Sequence, residues 1–251
     1  MPEHLVLFPV PGIPEIHDGT DLAEVILASI AANDIALEDG DILVVAQKVV
    51  SKAEGRVYHR SEIDASSFAG EMAAYTGHTA EYMELVLRSS RRIVRMANGL
   101  VISQTHHGFV MANSGVDSSN AGGENRMVML PENPDESARR LQRAVEESTG
   151  ANLAVIISDT FGRPWRRGQV NMAVGIAGMN PILDYRGRED NDGRALKATR
   201  IAVADELCSA AELVSGKTRK LPVVVIRGYR FDPASGSTRD LVMDEDCDIF
   251  K

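Results

Sequence analysis

The sequence has few cysteines and no long hydrophobic run, and each shortage excludes a class of protein. Its 251 residues include only Cys208 and Cys247, so no disulfide framework is expected. The apolar runs are far shorter than the roughly 20 residues that a transmembrane helix needs. The N-terminal segment lacks the basic and apolar regions of a signal peptide. We therefore expect a cytoplasmic protein that does not enter a membrane.

Positive charge is also scarce. The chain has 27 lysines and arginines against 36 acidic residues, which gives a net charge of −9 at pH 7. A general nucleic-acid-binding protein needs a basic surface, so no nucleic-acid partner is expected. A local basic pocket for one anionic small molecule is still compatible with this balance.

The common nucleotide-binding and hydrolase motifs are missing. The sequence has no G-x-G-x-x-G, no G-x-S-x-G and no H-E-x-x-H. Gly216-Lys217-Thr218 resembles the end of a P-loop, but Ala211 stands where that motif needs its first glycine. The triplet also follows a helical pattern and precedes a strand, the reverse of a P-loop. Any nucleotide must be held by another arrangement.

Strand and helix patterns follow each other along the chain, without a linker that would separate two domains. Apolar runs predict strands over residues 4–10, 42–46, 152–158, 173–178 and 223–226, and a β meander over 91–113. Helical periodicity covers residues 21–33, 62–88, 135–148 and 197–214. We predict a single domain over residues 1–251 with a mixed α/β (α+β) fold.

Two polar clusters follow predicted strands. Asp159 and Thr160 come directly after the strand predicted at 152–158, and a carboxylate beside a hydroxyl suits Mg²⁺ or Mn²⁺. Both residues are also good helix N-caps. Asp117 and Asn120 follow the meander, where Asp117 could supply a second carboxylate and Asn120 a phosphate or base contact. Asx-turns are the alternative there.

Three groups of basic residues add to this pattern. Lys48 and Lys52 share one face if residues 47–53 are helical, and they fit either a phosphate site or a solvated surface. Adjacent His106 and His107 would alternate faces on a strand, which argues against joint metal binding.

The third group follows Asp159 within eight residues. Arg163, Arg166 and Arg167 stand beside the only tryptophan, Trp165. Arginine favours bidentate contacts with carboxylate and phosphate, and tryptophan can stack on a planar ring. A salt-bridged surface loop is the alternative. We hypothesise that these arginines bind anionic substrates.

Several of these segments together resemble a known family. The blocks FPVPGIPE, DGDILVVAQKVVSKAEGR, THHGFVMANSGVDSSN, SDTFGRPWRRGQVNMAVGIAGM, VADELCSAAELVSGK and PVVVIRG lie in this order between residues 8 and 228. They are similar to the coenzyme F420:L-glutamate ligase family, also called CofE, and most similar to its bacterial branch. Bacterial members can carry a nitroreductase-like extension, and this chain resembles the ligase domain without it.

The resemblance implies a fold and a reaction. The family has an unusual mixed α/β fold with two subdomains and forms an intertwined homodimer. GTP phosphorylates the terminal carboxylate of the deazaflavin precursor F420-0, and L-glutamate attacks the resulting acyl phosphate. Further glutamates are added through γ-linkages. The family uses Mg²⁺ or Mn²⁺, and K⁺ is also implicated.

The resemblance also assigns residues. The family's metal ligands correspond to Asp117, Asp159 and Thr160. Its nucleotide-contacting positions correspond to Pro11, Gly12, Ile13, Pro14, Gln47, Lys52, Asn120, Val214, Ser215, Gly216, Lys217, Thr218, Arg219, Lys220 and Leu221.

Two positions depart from the family pattern. Gln47 replaces a serine that is frequent there. The loop around Lys217 lacks the carboxylate or amide that holds a second metal in archaeal members.

Two alternatives stay open: a metal-dependent, nucleotide-using amide ligase or phosphotransferase for another carboxylic acid, and a deazaflavin-binding module whose catalytic site has decayed.

Overall fold

The computed structural model describes residues 4–248 and confirms a mixed α/β fold. The strands are β1 Val6–Pro9, β2 Ile42–Ala46, β3 Val57–His59, β4 Ser90–Ala97, β5 Leu100–Thr105, β6 Val110–Ala112, β7 Arg126–Val128, β8 Ala154–Arg163, β9 Arg166–Ala177, β10 Leu183–Asp184, β11 Arg200–Ile201 and β12 Val223–Arg227. The α-helices are α1 Leu22–Ala32, α2 Gln47–Ala53, α3 Ser67–Thr76, α4 Ala80–Ser89, α5 Pro134–Thr149 and α6 Val203–Ser215. None of the helices within residues 4–248 is long and apolar enough to cross a membrane.

A five-stranded sheet with the order β1-β12-β2-β8-β9 forms the centre of the molecule. Only β2 and β8 pair in parallel; the other neighbours are antiparallel. Alternate residues of β2 point to opposite faces, so Leu43 and Val45 pack with α1 and α5 while Ile42 and Val44 pack with α6. Because both faces are covered, β2 reads as a continuous apolar run.

Several predicted elements are confirmed. The meander appears as β4, β5 and β6, and α5 begins where the sequence indicated, with the Asn133 side chain accepting a hydrogen bond from the Glu136 backbone N–H. The small-residue segment predicted at 173–178 forms the second part of strand β9, up to Ala177, and packs closely, as predicted. A Cβ atom added at Gly175 would collide with the carbonyl group of Pro134 at the start of α5.

The prediction that a strand ends at Ser158 is wrong. Strand β8 continues through Asp159 and Thr160 to Arg163 and pairs with β9, so residues 158–171 form a β-hairpin rather than a basic loop. The register between β8 and β9 shifts after Ile157, and the polar second part of β8 stays paired with β9 beyond this irregularity. Trp165 lies in the hairpin turn with a φ of 57°.

The predicted start of the last helix is also wrong. Residues 197–202 were expected to be helical, but α6 begins at Val203. Arg200 and Ile201 instead pair with Asp184 and Leu183 in a two-stranded sheet. Backbone pairing with this distant segment overrides the local preference for helix.

The sheet topology brings four chain segments to one edge. Strands β1 and β2 both end there, at Pro9 and Ala46, and β8 passes the same edge at Ser158. Strand β12 runs the opposite way and begins there, and the backbone N–H of Ala46 bonds to the carbonyl of Pro222. The loops at residues 10–16 and 216–222 therefore lie beside the start of α2 and the hairpin.

Candidate active site

A cleft of about 830 Å³ opens at this edge of the sheet. It is lined by segments that are far apart in the chain but meet through the sheet topology. Most of the predicted nucleotide and metal positions line it: Ile13, Pro14, Gln47, Lys52, Asn120, Asp159, Thr160, Ser215, Gly216, Lys217, Thr218, Lys220 and Leu221.

Asp159 lines this cleft, and Asp117 lies beside it, where it pairs with the lining residue Lys48. Asp159 lies on β8, and Asp117 is held by backbone hydrogen bonds in both directions with Val128. Their carboxylates are close enough for the Asp117 charge to raise the pKa of Asp159. Among residues 4–248, no cluster of three or more histidine, cysteine and acidic side chains is suited to a metal. Glu15 and Glu212 also line the cleft, so its acidic part extends beyond this pair.

The two carboxyl groups differ in pKa because their surroundings differ. Burial is the main influence on Asp159, and it raises the pKa of this carboxyl to about 6 against the opposing effect of nearby Lys217. Burial also acts to raise the pKa of Asp117, but hydrogen bonds from Lys48 and Ser119 outweigh it and leave the pKa below its ordinary value. Asp117 is thus the more firmly ionised member of the pair.

Four lysines line the cleft, and the ammonium groups of Lys48, Lys52 and Lys217 each contact an oxygen atom of the protein. Lys48 Nζ lies 2.7 Å from Asp117 Oδ2. Lys52 Nζ forms an ion pair with Glu15, and Lys217 Nζ donates a hydrogen bond to Thr160 Oγ1. Helix α2 projects Lys48 and Lys52 from the same face, as the sequence predicted. The cleft is therefore rich in positive charge within an acidic protein.

The residues present fit a hard divalent cation. Two carboxylates and the Thr160 hydroxyl are oxygen donors, and Mg²⁺ typically binds one or two carboxylates together with substrate phosphates and water. Lysine ammonium groups already contact oxygen atoms of Asp117 and Thr160, so these oxygen atoms can bind a positive charge. Asp117, Asp159 and Thr160 are the residues that would hold such an ion.

Other predicted nucleotide positions have structural contacts of their own. Gln47 is buried and donates from Nε2 to Ser51 Oγ at 2.5 Å and to the Met129 carbonyl at 3.2 Å. Val214 and Arg219 contact each other through a hydrogen bond of 2.6 Å from Arg219 Nη1 to the Val214 carbonyl. These two residues, together with Pro11 and Gly12, flank the cleft rather than line it.

The three arginines of the hairpin lie outside the cleft. Arg163, Arg166 and Arg167 are not among its lining residues within the described part of the chain. Arg163 Nη2 donates to the Arg167 carbonyl at 3.3 Å, across the end of the hairpin. Trp165 is 81% exposed at the turn. Their role in binding anionic substrates stays a prediction.

Sequence reasoning missed several residues of the cleft. Glu15 pairs with Lys52, and Ser119 bonds to both Lys48 and Asp117. Asn171 accepts a hydrogen bond from Thr160, because the two residues face each other in the hairpin. Only a correct prediction of the hairpin register would have placed Asn171 beside Thr160.

Taken together, the fold and the cleft fit a class of protein: an enzyme that acts on anionic small molecules. Basic side chains face an acidic pair across a concave surface, a combination suited to neutralising substrate charge. Comparison with known proteins makes the assignment more specific.

The sequence pattern of the F420-0:gamma-glutamyl ligase family matches residues 12–228. A protein of Methanothermobacter thermautotrophicus called coenzyme F420:L-glutamate ligase is 42% identical over 248 residues, which cover 98% of each chain. Proteins with the same name from Methanocaldococcus jannaschii and Archaeoglobus fulgidus are 42% and 39% identical, over 86% and 98% of this chain and 86% and 96% of theirs. The chain belongs to the F420-0:gamma-glutamyl ligase family.

Proposed function

We propose that this enzyme joins L-glutamate to the deazaflavin precursor F420-0 in coenzyme F420 biosynthesis, using GTP. The observation that carries the proposal is the cleft that brings Lys48, Lys52, Lys217 and Asp159 together, with Asp117 paired to Lys48 beside it. Family membership supports the choice of substrates.

The reaction proceeds in two steps. A carboxylate oxygen of F420-0 attacks the γ-phosphorus of GTP, and GDP leaves, which forms an acyl phosphate. The amine nitrogen of glutamate then attacks the carbonyl carbon, phosphate leaves, and the nitrogen loses a proton to give the amide. Repetition on the new terminal glutamate gives γ-linked chains.

The residues of the cleft mainly neutralise and orient these reactants. Carboxylate, GTP and glutamate are all anionic, so their approach is opposed by charge repulsion. Lys48, Lys52 and Lys217 can bind phosphate oxygens as mobile point charges. A Mg²⁺ or Mn²⁺ ion held by Asp117, Asp159 and Thr160 would neutralise charge on the substrate phosphates. The loops at 11–16 and 214–221 would enclose the nucleotide, with Asn120 and Gln47 beside it.

The family resemblance also leads us to propose two subdomains, an intertwined homodimer and a role for K⁺. A separate cluster of buried residues under α3 and α4 supports a second subdomain. The hairpin supports the dimer, because residues 162–169 extend beyond the packed sheet and are largely exposed. Sedimentation of the purified protein tests the dimer, and replacing K⁺ at constant ionic strength tests the third proposal.

Mass spectrometry of the products tests the proposed reaction. F420-0, L-glutamate, GTP and Mn²⁺ incubated with the protein should yield F420-0 extended by glutamyl units, and Asp159→Asn should abolish this product. Asp192→Asn, at an exposed loop position remote from the cleft, is a matched control that should retain activity. Absence of glutamyl addition to authentic F420-0 by the unaltered protein would overturn the proposal.

A further inference from the structure

Two ammonium groups already contact the oxygen atoms assigned to cation binding. Lys48 Nζ lies 2.7 Å from Asp117 Oδ2, and Lys217 Nζ donates to Thr160 Oγ1. A cation that binds these oxygen atoms meets two positive charges in contact with them. Because like charges repel strongly at short range in a partly buried site, both arrangements cannot persist together.

We propose that Lys48 and Lys217 are positioning residues that occupy the cation site in the nucleotide-free enzyme and move to phosphate oxygens when metal and nucleotide bind. The inference rests on the proposed function, since it concerns the same cleft. It adds a property that the function does not require: the metal binds weakly alone and tightly with nucleotide.

The contacts of Asp117 explain how Lys48 can leave without disturbing the site. The Asp117 carboxylate also accepts hydrogen bonds from the Ser119 backbone N–H at 2.8 Å and from Ser119 Oγ at 2.9 Å. These two bonds hold the carboxylate in place when the ammonium group departs. Lys48 itself lines the open cleft, so its long side chain can turn towards a ligand there.

Lys217 is equally free to change its partner. It stands in the exposed loop between α6 and β12, one residue after the helix cap Gly216. Thr160 retains its hydrogen bond to Asn171 when Lys217 moves away, so the hydroxyl stays oriented. The two displaced ammonium groups would then face the cleft without their present oxygen partners.

Phosphate oxygens supply those partners. An ammonium group left unpaired in a partly desolvated cleft is unfavourable, and charge-assisted hydrogen bonds to phosphate compensate for it. Metal binding alone therefore breaks the Lys48–Asp117 ion pair, the Lys48–Ser119 hydrogen bonds and the Lys217–Thr160 hydrogen bond. When nucleotide binds with the metal, its phosphate oxygens replace these partners. The two ligands must then strengthen each other's binding by the same factor.

Electron paramagnetic resonance of free Mn²⁺ measures this coupling in the full-length chain, with and without GDP. The variants are Lys48→Met and Lys217→Met, and Lys197→Met removes the same charge from an exposed position outside the cleft. We expect each cleft variant to bind Mn²⁺ alone at least about fivefold more tightly than the unaltered protein, and to lose most of the GDP enhancement. Lys197→Met should behave as the unaltered protein.

Other outcomes are decisive as well. If Mn²⁺ affinity were unchanged or weaker in both cleft variants, Lys48 and Lys217 would not occupy the cation site in the nucleotide-free enzyme. This result would not contradict the metal site itself. If the unaltered protein and Asp159→Asn bound Mn²⁺ equally, even with GDP, the metal site of the proposed function would fail too. Thermal unfolding checks that each variant is folded, and Lys48→Gln and Lys217→Gln replace any variant that is not.

Discussion

Thr160 and Asn171 face each other across the β8–β9 pair, and the Thr160 hydroxyl donates a hydrogen bond of 2.8 Å to Asn171 Oδ1. This bond fixes the direction of the hydroxyl hydrogen and leaves the oxygen lone pairs for Lys217 or a cation. Asn171 also anchors the neighbouring helix, because its backbone carbonyl accepts a hydrogen bond from Ser209 Oγ in α6.

Loss of the Asn171 side chain should weaken cation binding. In Asn171→Ala the Thr160 hydroxyl loses its acceptor, and one such hydrogen bond contributes about 1 kcal/mol, or roughly fivefold in affinity. Mn²⁺ titration in the presence of GDP measures the change. The Ser209 bond uses the backbone of Asn171, so the variant should fold normally. Unchanged Mn²⁺ affinity would show that Thr160 does not contribute to the cation site.

Glu15 should compete with the nucleotide for Lys52. The ion pair is partly exposed, with the Glu15 side chain 58% accessible, so its loss changes affinity modestly. We expect Glu15→Gln to bind GDP about threefold more tightly than the unaltered protein. Calorimetric titration tests this, with Glu147→Gln on the exposed side of α5 as a control for net charge. Weaker GDP binding in Glu15→Gln would assign Glu15 to nucleotide contact instead.

Protonation of His107 should destabilise the fold. Burial lowers the pKa of this histidine below its ordinary value, although its ring nitrogen contacts the carbonyls of Pro131 and Glu132. A depressed pKa means that the unfolded chain takes up the proton first. The contribution of His107 to stability is therefore present above the unfolded pKa of about 6.5 and is lost as the pH falls through the lower folded pKa.

Denaturant unfolding between about pH 7.5 and 5 measures this effect, with the window set by the unfolded pKa. We expect the free energy of unfolding to fall with pH in the unaltered protein and to fall less steeply in His107→Gln. Parallel curves for the two proteins would show that His107 titrates alike in the folded and unfolded chains.

A single added methyl group at Gly175 should destabilise the protein. In Gly175→Ala the new Cβ meets the Pro134 carbonyl, and such overpacking costs about 1–3 kcal/mol. Gly162→Ala is the matched control, because nothing lies within 4 Å of a Cβ at that strand position. Urea unfolding compares the two, and equal stabilities would mean that α5 shifts away from β9 without cost.

Local pattern predicted those parts of the fold that depend on burial or capping. Strand β2 was located at Ile42–Ala46 because it is a continuous apolar run covered on both faces. Helix α5 carries its start signal in Asn133 and Pro134. The apolar run of β2 and the start signal of α5 consist of residues that are adjacent in the chain, so both can be recognised from the sequence alone.

The hairpin and the lysine contacts could not be predicted in this way. Residues 158–171 are polar, and their strand structure comes from pairing with each other rather than from an apolar alternation. The Lys48–Asp117 and Lys217–Thr160 contacts join segments that only the sheet topology brings together. The resemblance assigned metal binding to Asp117, Asp159 and Thr160, but it did not indicate which lysines contact them.

Transfer of ¹⁸O tests the central claim most directly. F420-0 labelled in its terminal carboxylate is incubated with L-glutamate, GTP and Mn²⁺, and the products are analysed by mass spectrometry. We predict glutamyl-extended F420-0 together with one ¹⁸O atom in the phosphate released by the first glutamyl addition, unlabelled phosphate from any later addition, and neither product with Asp159→Asn. Absence of glutamyl addition, or formation of the amide with no label in phosphate, would contradict an acyl phosphate ligase acting in this cleft.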